Sequence, residues 1–157
     1  MTLTVRRIDP ADDFAALLAL ILHAFAYMDG VIDPPSSAHR LTVDSLRQKA
    51  ADEIGLAAFE GGTLVGCAFL RPEPGGFYLG KLAVDPAWQG HGVGRYLLAK
   101  AEAIARAEGA AHLRLETRAE LTGNHARFAA WGFTRSGESR HAGFTRTTTI
   151  EMTKPLA

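Results

Sequence analysis

Gln89, Gly90, Gly92 and Gly94 form the stretch with the clearest chemical meaning, Gln-Gly-His-Gly-Val-Gly, with glycine at every second position. Without Cβ atoms, such a backbone can curl so that successive N–H groups face one concavity. From Val93 the pattern turns helical, with Val93, Leu97, Ala101, Ile104 and Ala105 on one face. The N–H groups at a helix start are unpaired and the helix dipole adds partial positive charge there, so the loop reads as an anion seat, most naturally for a pyrophosphate. The alternative is a glycine-rich connection with no ligand. A P-loop would continue Gly-Lys-Ser/Thr, but Gly94 is followed by Arg95-Tyr96. A dinucleotide fingerprint needs a third glycine five residues after Gly90, where Arg95 stands.

The elements around this loop set its context. Leu79 to Val84 is an apolar run long enough for a buried strand, and Asp85-Pro86 ends it. Strand, anion loop and helix are then followed by Ala111 to Thr117, a second strand with Leu113 and Leu115 on one face and Arg114 and Glu116 on the other. A strand–helix–strand unit of this size implies a parallel, right-handed crossover, which sets this strand beside Leu79 to Val84.

Gln89-x-x-Gly92-x-Gly94, after a strand ending Ala-Val-Asp-Pro, resembles the Gln/Arg-x-x-Gly-x-Gly/Ala signature of the GNAT acetyltransferases. The resemblance runs over nearly the whole chain. It implies an α/β (α+β) GNAT fold: a single mixed, mostly antiparallel twisted sheet of about six to seven strands, flanked by about four helices, with a parallel central strand pair. It implies acetyl-CoA as co-substrate and a primary amine of a small molecule or peptide as acceptor. It places Gln89, Gly90, His91, Gly92, Val93, Gly94, Arg95 and Tyr96 at the cofactor's phosphates. Main-chain groups of Leu82, Ala83 and Val84 would pair with pantetheine, and Val84 would offer its N–H to the thioester oxygen. Asn124 and Phe128, on the short helix beside the cofactor, complete the set, with capping of that helix as the other role open to Asn124.

Attack on a thioester requires an amine that has lost a proton, because an ammonium near pKa 10 is not nucleophilic. The central strand carries no carboxylate, and Lys81 stands near where many members of the family place one. Leu113-Arg114-Leu115-Glu116 resembles the Leu-x-Leu-Glu strand of ribosomal-protein N-terminal acetyltransferases, which makes Glu116 the expected base. Burial beside a cleft would raise its pKa. Pairing with Arg114 or Arg118 is the structural alternative, and His141 and His39 are rivals. The family usually places a tyrosine acid four residues before the Gly-Phe that ends the short helix. Here Gly132-Phe133 puts Phe128 at that position, and a phenyl ring cannot donate a proton. Tyr27, Tyr78 and Tyr96 could replace it. A thiol of pKa about 8.5 could also leave unassisted, or catalysis could be slow or absent. A GNAT-fold module that binds acetyl-CoA or another acyl-CoA without transfer is the alternative function. A nucleotide or phosphate binder outside the family is a third reading.

Composition bounds the remaining classes. The chain has 157 residues, with 17 Lys+Arg against 17 Asp+Glu. That size suits a single domain, residues 1–157, and the zero net charge argues against a nucleic-acid or anionic-membrane binder. Cys67 is the only cysteine, so no internal disulfide forms, and its apolar strand favours packing over nucleophilic chemistry. The six histidines are scattered, so no metal site is expected. With no signal peptide and no transmembrane run, a cytoplasmic protein is the expectation. The resemblance adds a homodimer through the C-terminal strands.

In chain order, Thr2 to Ile8 reads as a strand, with Leu3 and Val5 on one face, and Phe14 to Tyr27 as a nearly all-apolar helix behind an acidic start. Met28 to Arg40, with two prolines and a glycine, reads as irregular. The resemblance makes this segment the acceptor cover, with Asp29, Asp33, Ser36, His39 and Arg40 as specificity candidates and a solvated loop as the alternative. The aspartates hint at a cationic acceptor. A helix from the Thr42 cap to about Ala51, a Gly61-Gly62 hairpin joining Gly55–Glu60 to Thr63–Arg71, and a turn at 72–76 follow. After the helix ending near Glu108-Gly109 and the second strand come a short helix from Leu121 to Trp131 and a last antiparallel pair, Phe133–Ser139 and Gly143–Thr153. The turn between them carries His141, a further acceptor candidate.

Overall fold

The computed structural model describes residues 2–156. Strand β1 (Leu3–Arg7) leads to helix α1 (Phe14–Phe25), whose start is capped by the Asp13 carboxylate accepting the Ala16 N–H. A 3₁₀ turn, Ala26–Met28, extends α1, and a second, Ser37–Arg40, lies within the stretch expected to be irregular. Helix α2 (Val43–Asp52) opens on a capping box in which Thr42 and Ser45 bond reciprocally. Strands β2 (Ile54–Glu60) and β3 (Thr63–Glu73) form the Gly61-Gly62 hairpin, with Gly61 at φ +60°. Strand β4 (Gly76–Val84), helix α3 (Val93–Ala107), strand β5 (His112–Arg118), helix α4 (Thr122–Ala130) and strands β6 (Thr134–Ser139) and β7 (Thr149–Pro155) complete the order.

Seven strands make one sheet in the order β1-β2-β3-β4-β5-β7-β6, antiparallel except for β4 and β5. Mixed α/β architecture, a seven-stranded sheet, four α-helices and a parallel central pair are as expected. Strand β3 is an interior strand, buried on both faces. Its Cys67 and Phe69 face α1 and α2, while Val65, Ala68 and Leu70 face α3. Helix α3 lies close to the sheet because Gly66 has no side chain. A Cβ there would sit 2.9 Å from Val93 Cγ1 and 3.0 Å from Leu97 Cδ1.

Two expectations are corrected. Strand β7 begins at Thr149 rather than Gly143, so residues 143–148 are loop; there the buried Thr148 hydroxyl accepts the His141 N–H. The parallel pairing does not involve Leu79 to Val84. It is confined to Gly76–Tyr78 against His112–Arg114, after which the strands separate. The cause lies in β4: between Cys67↔Ala83 and Phe69↔Gly80 the register slips, with Lys81 and Leu82 opposing the single residue Ala68. Lys81 takes φ +49°, rare for a residue with a side chain, and this bulge turns β4 away from β5. Strand β5 continues along β7 over its whole length, so the sheet holds together while a wedge opens at its centre.

Candidate active site

Two cavities meet at the wedge. The larger, about 920 Å³, runs along the end of β4 and the start of α3. The smaller, about 270 Å³, lies under residues 27–37, between the first half of β4 and the second half of β5. Phe25, Tyr27, Leu82, Asn124 and Phe128 line both, so the two spaces communicate where β4 and β5 part.

The larger cavity brings a glycine-rich helix start and a strand edge together. Gly90 and Gly92 both have φ +82°, the left-handed geometry that residues with Cβ atoms rarely adopt. Gly94 has another function, since a Cβ on it would meet Trp131 Cη2 at 3.1 Å. Tyr96 donates its N–H to the Gly92 carbonyl, 3.0 Å away, closing the first turn of α3. The N–H groups of Val93, Gly94 and Arg95 precede that bond and are the orphan donors of a helix start. The side chains of Arg95 and Arg127 line the same space. Just past the end of β4, the Asp85 N–H donates to the Val65 carbonyl on β3 at 2.9 Å. Successive residues of a strand alternate sides, so the Val84 N–H points away from β3, into the wedge. A diphosphate joined to an amide-bearing chain would find charge and donors at one end of this cavity and an unpaired strand edge at the other.

The expected cofactor residues Leu82, Ala83, Val84, Gln89, Gly90, Gly92, Val93, Gly94, Arg95, Asn124 and Phe128 all line this cavity. His91 and Tyr96 do not. The His91 Nδ1 turns back toward the carbonyls of Gln89 (3.1 Å) and Trp88 (3.3 Å), and Tyr96 is exposed on the outer side of α3. Sequence reasoning missed Trp88, Trp131, His23 and Arg127. Arg127 was within reach of it, being one turn from Asn124 on the same helix. Asn124 lies inside α4 rather than at its cap, and its Nδ2 donates to the Tyr27 hydroxyl at 3.1 Å. Phe128 packs edge-on against Trp131 and Phe133, at centroid distances of 5.7 and 6.0 Å.

The smaller cavity brings together Glu116, His141, Tyr78, Tyr27, Lys81 and Arg118. Glu116 is exposed rather than buried as expected. Arg114, two residues away on the same face of β5, donates to it at 2.7 Å. Arg114 also grips Glu73, whose other oxygen faces His112 at 2.9 Å, and these bonds, Arg114 first, hold the Glu73 carboxyl below its usual range. Tyr78 is sandwiched between the guanidinium groups of Arg71 and Arg114, 4.5 and 4.8 Å from its ring centroid. Burial, then the Glu116 charge, pushes its phenol pKa up, so it remains protonated near neutrality. The His141 Nδ1 contacts the Thr148 hydroxyl, and burial followed by the Arg118 charge lowers its pKa and favours the neutral ring.

Of the expected acceptor residues, only His141 and Ser36 line this cavity. Asp29 and His39 pair with each other at 2.8 Å in an exposed position. Asp33 serves through its backbone, its N–H bonded to Glu120 at 3.0 Å and its carbonyl to Arg146 at 2.9 Å. Arg40 lies outside the cavity, while Lys81, Arg118 and Ser37, none of them anticipated as acceptor groups, line it. Tyr96 is removed from the candidate acids by its position outside both cavities, whereas Tyr27 stands at their junction. Among the described residues there is no His/Cys/Asp/Glu cluster able to hold a metal, and no helix is long and apolar enough to cross a membrane.

Residues 20–133 match the family model described as Acetyltransferase (GNAT) family. The chain is 32% identical to an IAA acetyltransferase of Azospirillum brasilense, covering 85% of this chain and 86% of that one. It is 36% identical to an aminoglycoside N(6')-acetyltransferase type 1 of Stenotrophomonas maltophilia, covering 83% and 85%. In structure it is similar to the PaiA N-acetyltransferase of Thermoplasma acidophilum in complex with coenzyme A, with a TM-score of 0.83 at 18% identity over 99% of each chain. These matches show that the chain belongs to the GNAT acetyltransferase family and is an acetyl-CoA-dependent N-acetyltransferase.

Proposed function

We propose that this chain transfers an acetyl group from acetyl-CoA to the primary amine of a small molecule, by direct attack at the junction of the two cavities. The observation that carries this reading is the free edge of β4 at Val84, set between an anion seat on one side and a chamber with titratable groups on the other. The relatives named as an IAA acetyltransferase and an aminoglycoside N(6')-acetyltransferase support a small-molecule acceptor.

Bound acetyl-CoA supplies the acyl thioester. The N–H groups of Val93, Gly94 and Arg95, with the Arg95 and Arg127 side chains, hold its diphosphate. Leu82, Ala83 and Val84 present the strand edge to its amides. The Val84 N–H donates to the thioester oxygen, where negative charge develops during attack. Glu116, the single carboxylate lining the acceptor chamber, takes the proton of the amine. Tyr27 takes the part that Phe128 cannot play. Its hydroxyl, positioned by Asn124 at the junction of the cavities, donates a proton to the departing sulfur. A second reading gives the base role to His141, favoured by its contact with Thr148 and its lowered pKa.

Release of the CoA thiol with a panel of primary amines tests the reading. Glu116→Gln is expected to lower kcat by about 10²–10⁴-fold, the usual worth of a positioned base, with acetyl-CoA affinity unchanged. If Glu116→Gln retains full kcat while His141→Gln loses it, the base is His141. No thiol release with any amine would overturn the transfer reading and leave a binding module.

A further inference from the structure

The acceptor chamber is charged in a way the described residues do not balance. Lys81 projects into it from the bulge, and its Nζ has a neutral partner, the Ser37 hydroxyl at 2.8 Å. Charged groups near the ammonium are Lys49, Arg40 and Arg118, all cations, and Glu53, which Lys49 engages at 2.8 Å. Arg118 enters from β5 and commits one N–H of each terminal nitrogen to the carbonyls of Pro34 (2.6 Å) and Pro35 (3.0 Å), which leaves three of its five donors. The acids whose charge acts on it are Glu120, which faces Arg146 at 3.5 Å, and Asp33. Glu116 is the one carboxylate on the chamber wall, and Arg114 holds it.

Partly buried cations without counter-ions are costly unless something pairs with them. The cost recurs in the backbone, since Lys81 occupies φ +49°. A chamber built for a polycationic amine would show free carboxylates instead. Asp29 and Asp33, the acids that hinted at such an acceptor, do not line it.

We infer that the acceptor is an amine that also carries an anionic oxygen group, a carboxylate or a phosphate, and that Lys81 with Arg118 holds this group while the amine lies toward Val84. The inference rests on the acetyl-transfer reading and deepens it. At about 30 Å³ per water, the chamber's 270 Å³ matches on the order of nine waters, room for an amino acid or a similar small molecule beside the larger cavity.

Matched pairs of amines test this. Phenylalanine against phenethylamine differs by a carboxylate, and phosphoethanolamine against ethanolamine by a phosphate. Wild type is expected to favour the anionic member of at least one pair by about 10- to 100-fold in kcat/KM, the worth of a charge-assisted hydrogen bond. The pair that shows the preference identifies the group. In Lys81→Gln, which keeps a hydrogen-bonding partner for Ser37, the ratio should fall toward one, and in Lys81→Arg it should persist. A structural role for Lys81 would change overall activity and leave the ratio alone. Equal or reversed preference in both pairs, or a ratio untouched in Lys81→Gln, overturns the inference. Calorimetric binding of the same pairs to the protein saturated with CoA reads the preference without turnover. Loss of turnover with the anionic preference intact in binding would therefore count against the transfer reading alone.

Discussion

Gly66→Ala tests whether the approach of α3 to the sheet supports the cofactor site. The added methyl would lie 2.9 Å from Val93 Cγ1, 3.0 Å from Leu97 Cδ1 and 3.1 Å from the Ala83 carbonyl oxygen. Carbon–carbon contacts are most favourable near 3.5–4.0 Å, so α3 would have to back away by roughly half an ångström or more. Val93 and Leu97 are both fully buried, which leaves no slack. Overpacking of this kind costs about 1–3 kcal/mol. For a chain of this length that corresponds to a Tm lower by roughly 2–12 °C. Val93 begins the turn whose N–H groups form the anion seat, and Ala83 lies on the strand edge. The same displacement should therefore weaken acetyl-CoA binding several-fold. Gly62→Ala is the control, because nothing lies within 4 Å of that position. Differential scanning calorimetry and titration with acetyl-CoA read both effects. A Gly66→Ala protein indistinguishable from Gly62→Ala in Tm and Kd would refute the claim that this glycine sets the helix.

Other expectations follow from the same geometry. Tyr27→Phe should lower kcat by about tenfold or more while leaving Tm within a degree or two, since the residue is half exposed and loses one hydrogen bond to Asn124; unchanged kcat would return the leaving thiolate to an unassisted departure. The Cys67 thiol is fully buried and burial pushes it up to about 12, so a thiol reagent should react with it only as fast as the protein unfolds. Rapid labelling of the native protein would contradict this. Glu73, held below its usual range chiefly by Arg114, contributes stability above about pH 4.5 that disappears as the pH falls through its lowered folded value. Glu73→Gln should cost about 1–3 kcal/mol at pH 7 and flatten the acid limb of a urea-denaturation series; a limb as steep as that of wild type would place the acid sensitivity elsewhere.

The strand–loop–helix geometry of the glycine stretch was legible in the sequence because it rests on consecutive residues. Glycine spacing, the Asp85-Pro86 stop and the helical period from Val93 are all local signals, and Gly90, Gly92 and Gly94 stand where they imply. The hairpin, the Thr42 cap and the order of elements were legible for the same reason. The wedge was not. It depends on one extra residue in β4 opposite β3, and no pattern along β4 marks Lys81 as a left-handed position. The acceptor chamber was the least legible part. Residues 29–40 have no period, so nothing in their order distinguishes Ser36 and Ser37, which line the chamber, from Asp29 and His39, which pair outside it. Its cations come from two strands whose separation is itself nonlocal. The Leu-x-Leu-Glu setting singled out Glu116, which lines the chamber, but its partner Arg114, two residues away on the same face, replaces the burial that was expected.

The central claim is that the glycine loop and the free edge of β4 form an acetyl-CoA site. Calorimetric titration of acetyl-CoA into wild type and into a Gly92→Asp, Gly94→Asp variant tests it most directly, with circular dichroism verifying that both are folded. Gly92 is left-handed and Gly94 faces Trp131, so the added carboxylates bring both bulk and negative charge to the anion seat. The account predicts micromolar binding in wild type and its loss in the folded variant. Equal binding by both proteins, or none by wild type, would contradict it.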